Sequence, residues 1–380
     1  MKLALKSENI VLKDRVFSGY VLLEDGKIVD ITSCLEGKEY QIYDYQESYI
    51  IPGIIKLKSN AFFNAYNAFK NNLKGDMMAF YEVDKRAASY GITTLYNSIT
   101  LEKGRKKEDF KTSTRALEFL NKIKTDETMI NHKIHLKYEL TYQEGIDKTK
   151  DLLEHNMIDY ISYLGYRQGN EQSIRECYYT EYVQRAMGIK EEQCRRMVER
   201  IRNLKAEFKL EEFAYLVKYA KYKGINVAFS DEEAAYKIST FLNKGISLLE
   251  DPKDMEKAKL AKEKGILVAL DSSSIIKEDD GVTKKALRDG IIDILTTEKE
   301  APELLVTAFY LEEEGLLELF KAISMITIAP AKAVGIDKYT GSIEAGKDAD
   351  LVVVEKNINN YPIVRATFVK GKLVYTSKSK

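Results

Sequence analysis

The 380 residues balance 59 Lys and Arg against 59 Asp and Glu, so no net field draws the chain to nucleic acid or to an anionic membrane surface. An apolar content of 44% supplies a large core, yet no uncharged stretch reaches the ~18 apolar residues that would cross a bilayer. Cys34, Cys177 and Cys194 are odd in number and form no Cys-x-x-Cys, which excludes a disulfide framework and a thiolate metal site. With Lys2, Lys6 and Glu8 interrupting the first ten residues, no signal peptide is expected, and the protein is expected to be soluble and cytoplasmic.

The first 50 residues read as β structure. Val21–Glu24, the pair Asp25-Gly26 and Lys27–Ile31 form a hairpin pattern, because Asp-Gly tolerates the positive φ of a type I′ turn. The middle then alternates strand and helix. Candidate strands are Ile54–Ser59, Ile92–Ile99, Lys133–Leu140, Ile158–Leu164, Ile225–Phe229, Ile246–Leu249, Ile266–Leu270 and Ile291–Leu295. Glycines at 91, 224, 245, 265 and 290 stand just before strands, where a helix C-cap turns into the next strand. Eight such units predict an α/β fold, a (β/α)8 barrel of the kind that uses about 250 residues as one unit. At the C-terminus Ala349–Val354 reads as a strand and Ile363–Thr376 as a second hairpin around Lys370-Gly371. The expected organisation is a small β domain from residues 1–50 plus 343–380 and a barrel over 51–342, with a helical insertion at about 165–224.

In such a barrel the reacting groups stand at the strand C-termini. Alternation puts His135, Lys137 and Glu139 on one face of the third strand, with Leu136, Tyr138 and Leu140 on the other. The same parity puts Lys56, Lys58 and Asn60 together on the first. Lys58, Glu139 and Glu298 then line the mouth as an unusual concentration of charge. His132 and His155 read as ordinary surface histidines.

Several motifs resemble the amidohydrolase superfamily: Ile51-Pro52-Gly53-Ile54-Ile55, Gly91-Ile92-Thr93-Thr94, Ala329-Pro330-Ala331-Lys332-Ala333 and Gly341-Ser342-Ile343-Glu344-Ala345-Gly346-Lys347-Asp348-Ala349-Asp350. Within it, His135-Leu136-Lys137-Tyr138-Glu139-Leu140 and the stretch around Asp293 are similar to the phosphonate-pathway α-D-ribose 1-methylphosphonate 5-triphosphate diphosphatases. The resemblance implies a (β/α)8 barrel with a β-sandwich from both termini, a divalent metal at the mouth, and metal-activated hydrolysis. It also implies where the ligands should be. The family's His-x-Asp is here Lys58-Ser59-Asn60, its two later histidines are Tyr166 and Ser230, and its catalytic aspartate is Glu298.

Three or four converging imidazole, carboxylate or thiolate groups are needed to hold such a metal. The sequence therefore predicts no metal and no cofactor, zinc returning only if the site is rebuilt. The leading expectation is a non-catalytic barrel that binds an unidentified small molecule or protein, as a homodimer by resemblance. Its candidate binding residues are His135, Asn60, Tyr166, Ser230 and Asp231. The alternative is a rebuilt hydrolase of C–N or phosphoanhydride bonds, with Glu139 or Glu298 as general base and Lys58 as electrostatic stabiliser. Under either, Lys58 is expected within about 4 Å of Glu139 or Glu298, its ammonium replacing the metal's charge.

Overall fold

The computed structural model describes residues 2–35, 39–69, 72–101, 107–124, 127–139, 145–164, 210–230, 246–252, 254–276, 281–299 and 302–377. The chain opens with β1 (Lys2–Val11), β2 (Val16–Glu24), β3 (Lys27–Thr32), β4 (Gln41–Asp44) and β5 (Tyr49–Pro52). Eight parallel strands follow: β6 (Ile54–Ser59), β7 (Ile92–Leu101), β8 (Asn131–Glu139), β9 (Tyr160–Leu164), β10 (Asn226–Phe229), β11 (Ile246–Glu250), β12 (Leu267–Asp271) and β13 (Ile294–Thr296). The chain ends in β14 (Leu351–Lys356), β15 (Pro362–Val369) and β16 (Lys372–Thr376).

Both termini build one sheet in the order β16-β15-β14-β5-β1-β2-β3, with β4 also on β1. The two turns expected from sequence are present: Asp25 and Gly26 have φ of 49° and 82°, Lys370 and Gly371 of 47° and 71°. One face of the sheet wraps its own core of Leu5, Val21, Ile50, Leu351, Val353 and Phe368, as in a β-sandwich. The other face gives Ile51, Val352, Val354 and Val364 to the core shared with the barrel's helices. Gly53 is the joint between the two units. Its N–H reaches the Asp350 carbonyl at 2.8 Å, and a Cβ there would lie 2.0 Å from Thr93 Oγ1.

The eight barrel strands are neighbours in sequence order from β6 to β13. The gap between β13 and β6 is bridged by residues 325 and 326, whose carbonyls accept Leu295 N–H and Ile55 N–H, each at 3.0 Å. The lumen is packed by Ile55, Leu57, Tyr96, Tyr160, Leu248 and Ile294, and helix Ile328–Ala333 plugs its lower end. On β8, Leu136 and Tyr138 join the outer core while His135 and Lys137 turn inward, as alternation requires.

The first barrel strand departs from that alternation. Its pairing with β7 is irregular between Lys56 and Ser59, so Leu57 packs in the lumen and Lys58, beside it, also reaches acidic groups across the mouth. Lys56 instead donates to the Lys299 carbonyl beyond β13. The eighth strand starts at Ile294 rather than Ile291, whose N–H still bonds the Ala286 carbonyl of the preceding helix at 2.9 Å; Asp293 below the strand accepts from Val268 N–H at 3.0 Å and from Lys262 Nζ. Residues 165–209 of the expected helical insertion lie outside the described residues, and 210–222 form a helix. No helix among the described residues is long and apolar enough to cross a membrane.

His132 is not a surface residue. It is 4% exposed, and its Nε2 lies 3.1 Å from Asp84 Oδ1 on helix Gly75–Ser89, while Asn97 Nδ2 reaches its Nδ1 at 3.1 Å. Asp84 also accepts the N–H groups of Met129 and Ile130, so one carboxylate clips the helix to the entry of β8. His155 is exposed, beside Asp151.

Asp350 in the closing motif is buried, accepting from Lys370 N–H and Thr340 Oγ1. Burial pushes its pKa up to about 6 against the opposing pull of those two bonds. Its ordinary value is about 4, so folding favours the protonated acid. For this group stability is greatest below about pH 4 and falls by about 3 kcal/mol as pH rises through the folded value. Asp350→Asn can still accept from Lys370 N–H through Oδ1, donates from Nδ2 to Thr340 Oγ1 in place of accepting, and removes the titration. Denaturant midpoints should show the variant gaining on wild type by about 3 kcal/mol between pH 4 and pH 7; parallel pH curves would contradict the assignment.

Candidate functional site

Two lysines stand at the strand C-terminal ends with almost no solvent around them. Lys58 is 4% exposed and Lys137 is 8% exposed. An ammonium is costly to bury unless carboxylates compensate it. For Lys58 these are Asp251 Oδ2 at 2.5 Å and Glu250 Oε2 at 3.7 Å, both at the end of β11. Lys137 pairs instead with Glu298, just beyond β13. Burial alone would lower the Lys58 pKa, but the charges of Glu250 and Asp251, the Asp251 hydrogen bond and the Glu298 charge outweigh it and hold the pKa above the ordinary lysine value.

Beneath the pairs runs a fully buried chain of hydrogen bonds. Ser59 N–H donates to Ser98 Oγ at 3.1 Å, and Ser98 Oγ lies 3.0 Å from His135 Nδ1. His135 Nε2 lies 2.7 Å from Ser162 Oγ, which donates to Glu250 Oε2 at 3.1 Å. Tyr160 OH donates to Glu250 Oε1 at 2.9 Å. The directions close when the His135 proton sits on Nε2, each hydroxyl accepting one bond and donating the next. Burial, then the charges of Lys137 and Lys58, push the His135 pKa well down, so the ring is neutral near pH 7. The chain ends on Glu250, whose carboxylate receives Ser162, Tyr160 and the Lys58 charge together.

Glu298 is different in character. Its side chain is 44% exposed, with Lys137 at Oε1 and Asn60 Nδ2 at 2.8 Å from Oε2. Burial raises its pKa, but Lys137, the Lys58 charge and the Asn60 bond lower it further, leaving a carboxylate at neutral pH.

The structure thus brings together Lys58, His135, Asn60 and Glu298, through partners that the sequence reading did not assign to the site: Glu250, Asp251 and Lys137. Lys58 pairs with Glu250 and Asp251 rather than with Glu298, which corrects that half of the expectation, while the Glu139 side chain lies outside the described residues. The broken alternation of β6 and the arrival of two acids on β11 are the reasons. The apolar run Leu248-Leu249 ending in Glu250-Asp251 was the available signal, since it is a strand end like the others. Ser230, half-buried after β10, bonds the Tyr163 carbonyl and touches none of these groups. Glu139 closes β8, but its side chain, like Tyr166 and Asp231, lies outside the described residues.

The described residues at the mouth do not fit a divalent cation. The two ammonium groups of Lys58 and Lys137 already hold Glu250, Asp251 and Glu298, and would repel a second positive charge at ion-pair range. Both His135 ring nitrogens are engaged by serine hydroxyls. Among the described residues no three His, Cys, Asp or Glu side chains gather in a metal-binding arrangement. Lys58→Met should strand two acids at the mouth and destabilise the fold by about 3–5 kcal/mol, as for a buried pair broken on one side. Urea unfolding checks this, and a variant as stable as wild type would contradict it.

Comparison with known proteins agrees with this architecture. Residues 185–374, half of the chain, match the model of the Amidohydrolase family. The dihydroorotase of Aquifex aeolicus is 29% identical over 134 positions, a match spanning 27% of this chain and 31% of that enzyme. Dihydropyrimidinase from Brevibacillus agri NCHU1002 superposes with a TM-score of 0.66 at 13% identity, over 98% of this chain and 95% of that one. N-acetylglucosamine-6-phosphate deacetylase from Pasteurella multocida does so with a TM-score of 0.66 at 14% identity, over 98% and 99%. At such identities the superpositions show the fold alone. The family model and the shared barrel with its two-terminus sheet lead to one conclusion: this chain belongs to the amidohydrolase family.

Proposed function

We propose that this chain is an amidohydrolase-family protein in which lysine–carboxylate pairs take the place of a divalent metal, and that it binds a ligand without metal-dependent turnover. The observation that carries the reading is the burial of Lys58 between the ends of β6 and β11, with Asp251 and Glu250 as its counter-charges. A metal-activated water needs open coordination and deprotonated ligands. Here the described carboxylates at the mouth are spent on ammonium groups, and the neutral imidazole is tied to two serines. The likeness of residues 135–140 to the phosphonate-pathway diphosphatases is then kinship of scaffold, with the triphosphate chemistry left behind.

Glu298 supports a second reading. It is an ionised, half-exposed carboxylate at the opening, flanked by Lys137 and Asn60, and could act as a metal-independent general base with Lys58 and Lys137 steadying developing negative charge. The relatives are named for dihydroorotate, dihydropyrimidines and an N-acetylated sugar phosphate, so small cyclic amides and acetamides are the substrates to screen. Hydrolysis abolished by Glu298→Gln would favour this reading; hydrolysis untouched by it would mark a contaminant.

Metal analysis separates the leading reading from the family's usual chemistry. Protein purified from cells supplied with zinc, iron and manganese should carry substoichiometric metal, and chelators should leave its melting temperature unchanged, since nothing bound to the native state is removed. One equivalent of metal, with a chelator-induced drop reversed by zinc or manganese, would overturn the proposal.

A further inference from the structure

Glu298 occupies its place at the mouth in an unusual way. Its two carboxylate oxygens are taken by nitrogen donors from two different strands: Oε1 by Lys137 Nζ from β8, and Oε2 by Asn60 Nδ2, one residue beyond β6. Two donors, each on its own oxygen and one of them charged, make a two-point grip on the carboxylate. The exposures run in one direction, with the Lys137 side chain at 10% and that of Glu298 at 44%. The anion therefore forms the solvent-side layer over a buried cation. Its backbone lies in the turn after β13, which Thr297 anchors through Glu303 and Lys299 N–H, so rotation about the Glu298 side-chain torsions moves the carboxylate out of the grip without moving that turn.

Lys58 cannot be the charge that Glu298 chiefly serves, since Asp251 and Glu250 already flank it. Among the described residues Glu298 is the ion-pair partner of Lys137. Swinging it outward would uncover an ammonium that no other described carboxylate pairs, and His135 below has both ring nitrogens on serines. That exposed charge and the free Asn60 amide would draw in an anion from solvent. With Glu298 swung out, two ammonium groups face two carboxylates among the described residues of the mouth, so a monoanion restores the net charge of −1 that Glu298 itself gives, whereas a dianion takes it to −2. A dianion would meet Glu250 and Asp251 with no surplus positive charge to offset it.

We propose that Lys137 and Asn60 form a carboxylate clamp at the barrel mouth, filled here by the chain's own Glu298, and that a carboxylate-bearing small molecule displaces Glu298 to bind. The clamp rests on reading the mouth as a ligand site, and gives that ligand its chemical class. Glu298 is then a built-in competitor: it keeps Lys137 paired when the site is empty and sets the affinity that an incoming carboxylate must exceed.

The test uses the full chain and acetate as the probe, read by thermal unfolding at constant ionic strength with chloride as the balancing salt. Glu298→Ala should show a saturable rise of about 2 °C at tenfold above Kd, while wild type barely moves. Glu298→Gln, which keeps the side chain's bulk and loses its charge, is read alongside and should respond less than Glu298→Ala; it stands in should that variant not fold. Adding Asn60→Ala or Lys137→Met to either background should abolish the acetate response. Equal responses in wild type and Glu298→Ala, a response that survives Lys137→Met, no response in either Glu298 variant, or phosphate matching acetate would each overturn the clamp. The readout needs neither metal nor turnover. Its failure would leave the lysine-paired mouth standing, whereas bound metal would overturn that mouth by a separate measurement.

Discussion

An ammonium group placed inside a barrel must be matched by negative charge close at hand, and most of what distinguishes this molecule follows from matching Lys58. Desolvating the charge costs several kcal/mol, which only a well-placed carboxylate and further hydrogen bonds recover. Asp251 supplies the short contact and Glu250 the second charge. Glu250 must itself be saturated, and Ser162 and Tyr160 do that from β9. Ser162 then orients His135, His135 orients Ser98, and Ser98 caps the backbone of Ser59 beside Lys58. The lysine and the end of its own strand are thereby joined through four other strands. Removing any member leaves a buried donor or acceptor without its partner, so the network acts as a unit.

The opposite end of the barrel is built on a different device. Single aspartates bind backbone N–H groups at strand entries: Asp84 takes Met129 and Ile130, Asp159 takes Ile134, and Asp293 takes Val268. Asp350 does the same for Lys370 where the terminal sheet meets the barrel. These clips fix the frame without reference to the mouth. The division agrees with the general behaviour of such barrels, where the lower face stabilises and the upper face carries specificity. It also lets the frame superpose on dihydropyrimidinase at 13% identity without fixing the side chains of the mouth.

Much of the frame was legible from residues alone. Apolar runs, five of them opened by glycine, located all eight barrel strands, and Asp25-Gly26 and Lys370-Gly371 located the hairpins that tie the termini into one sheet. The partner of Lys58 was not legible, for two physical reasons. Parity counting assumes an even pleat, and β6 loses its even pairing with β7 between Lys56 and Ser59. The acids that neutralise Lys58 lie far along the chain, Asp251 being 193 residues away. His132 looked exposed because Asn131 and Lys133 flank it, whereas its burial is set by Asp84 on a helix 48 residues earlier. Charge pairing over such separations leaves no local periodicity to read. Glu139, Tyr166 and Asp231, which sequence also singled out, lie beyond what the structure describes in side-chain detail.

The central claim is that lysine charge, in place of a metal ion, organises the barrel mouth. Crystals soaked in zinc, with anomalous difference maps recorded at the zinc edge, test it most directly. The account predicts continuous density from the Lys58 ammonium to the Asp251 carboxylate and no anomalous peak among the ends of β6, β8, β11 and β13. A strong peak there, ligated by the imidazole of His135 or the carboxylate of Glu250 with Lys58 turned away, would contradict it.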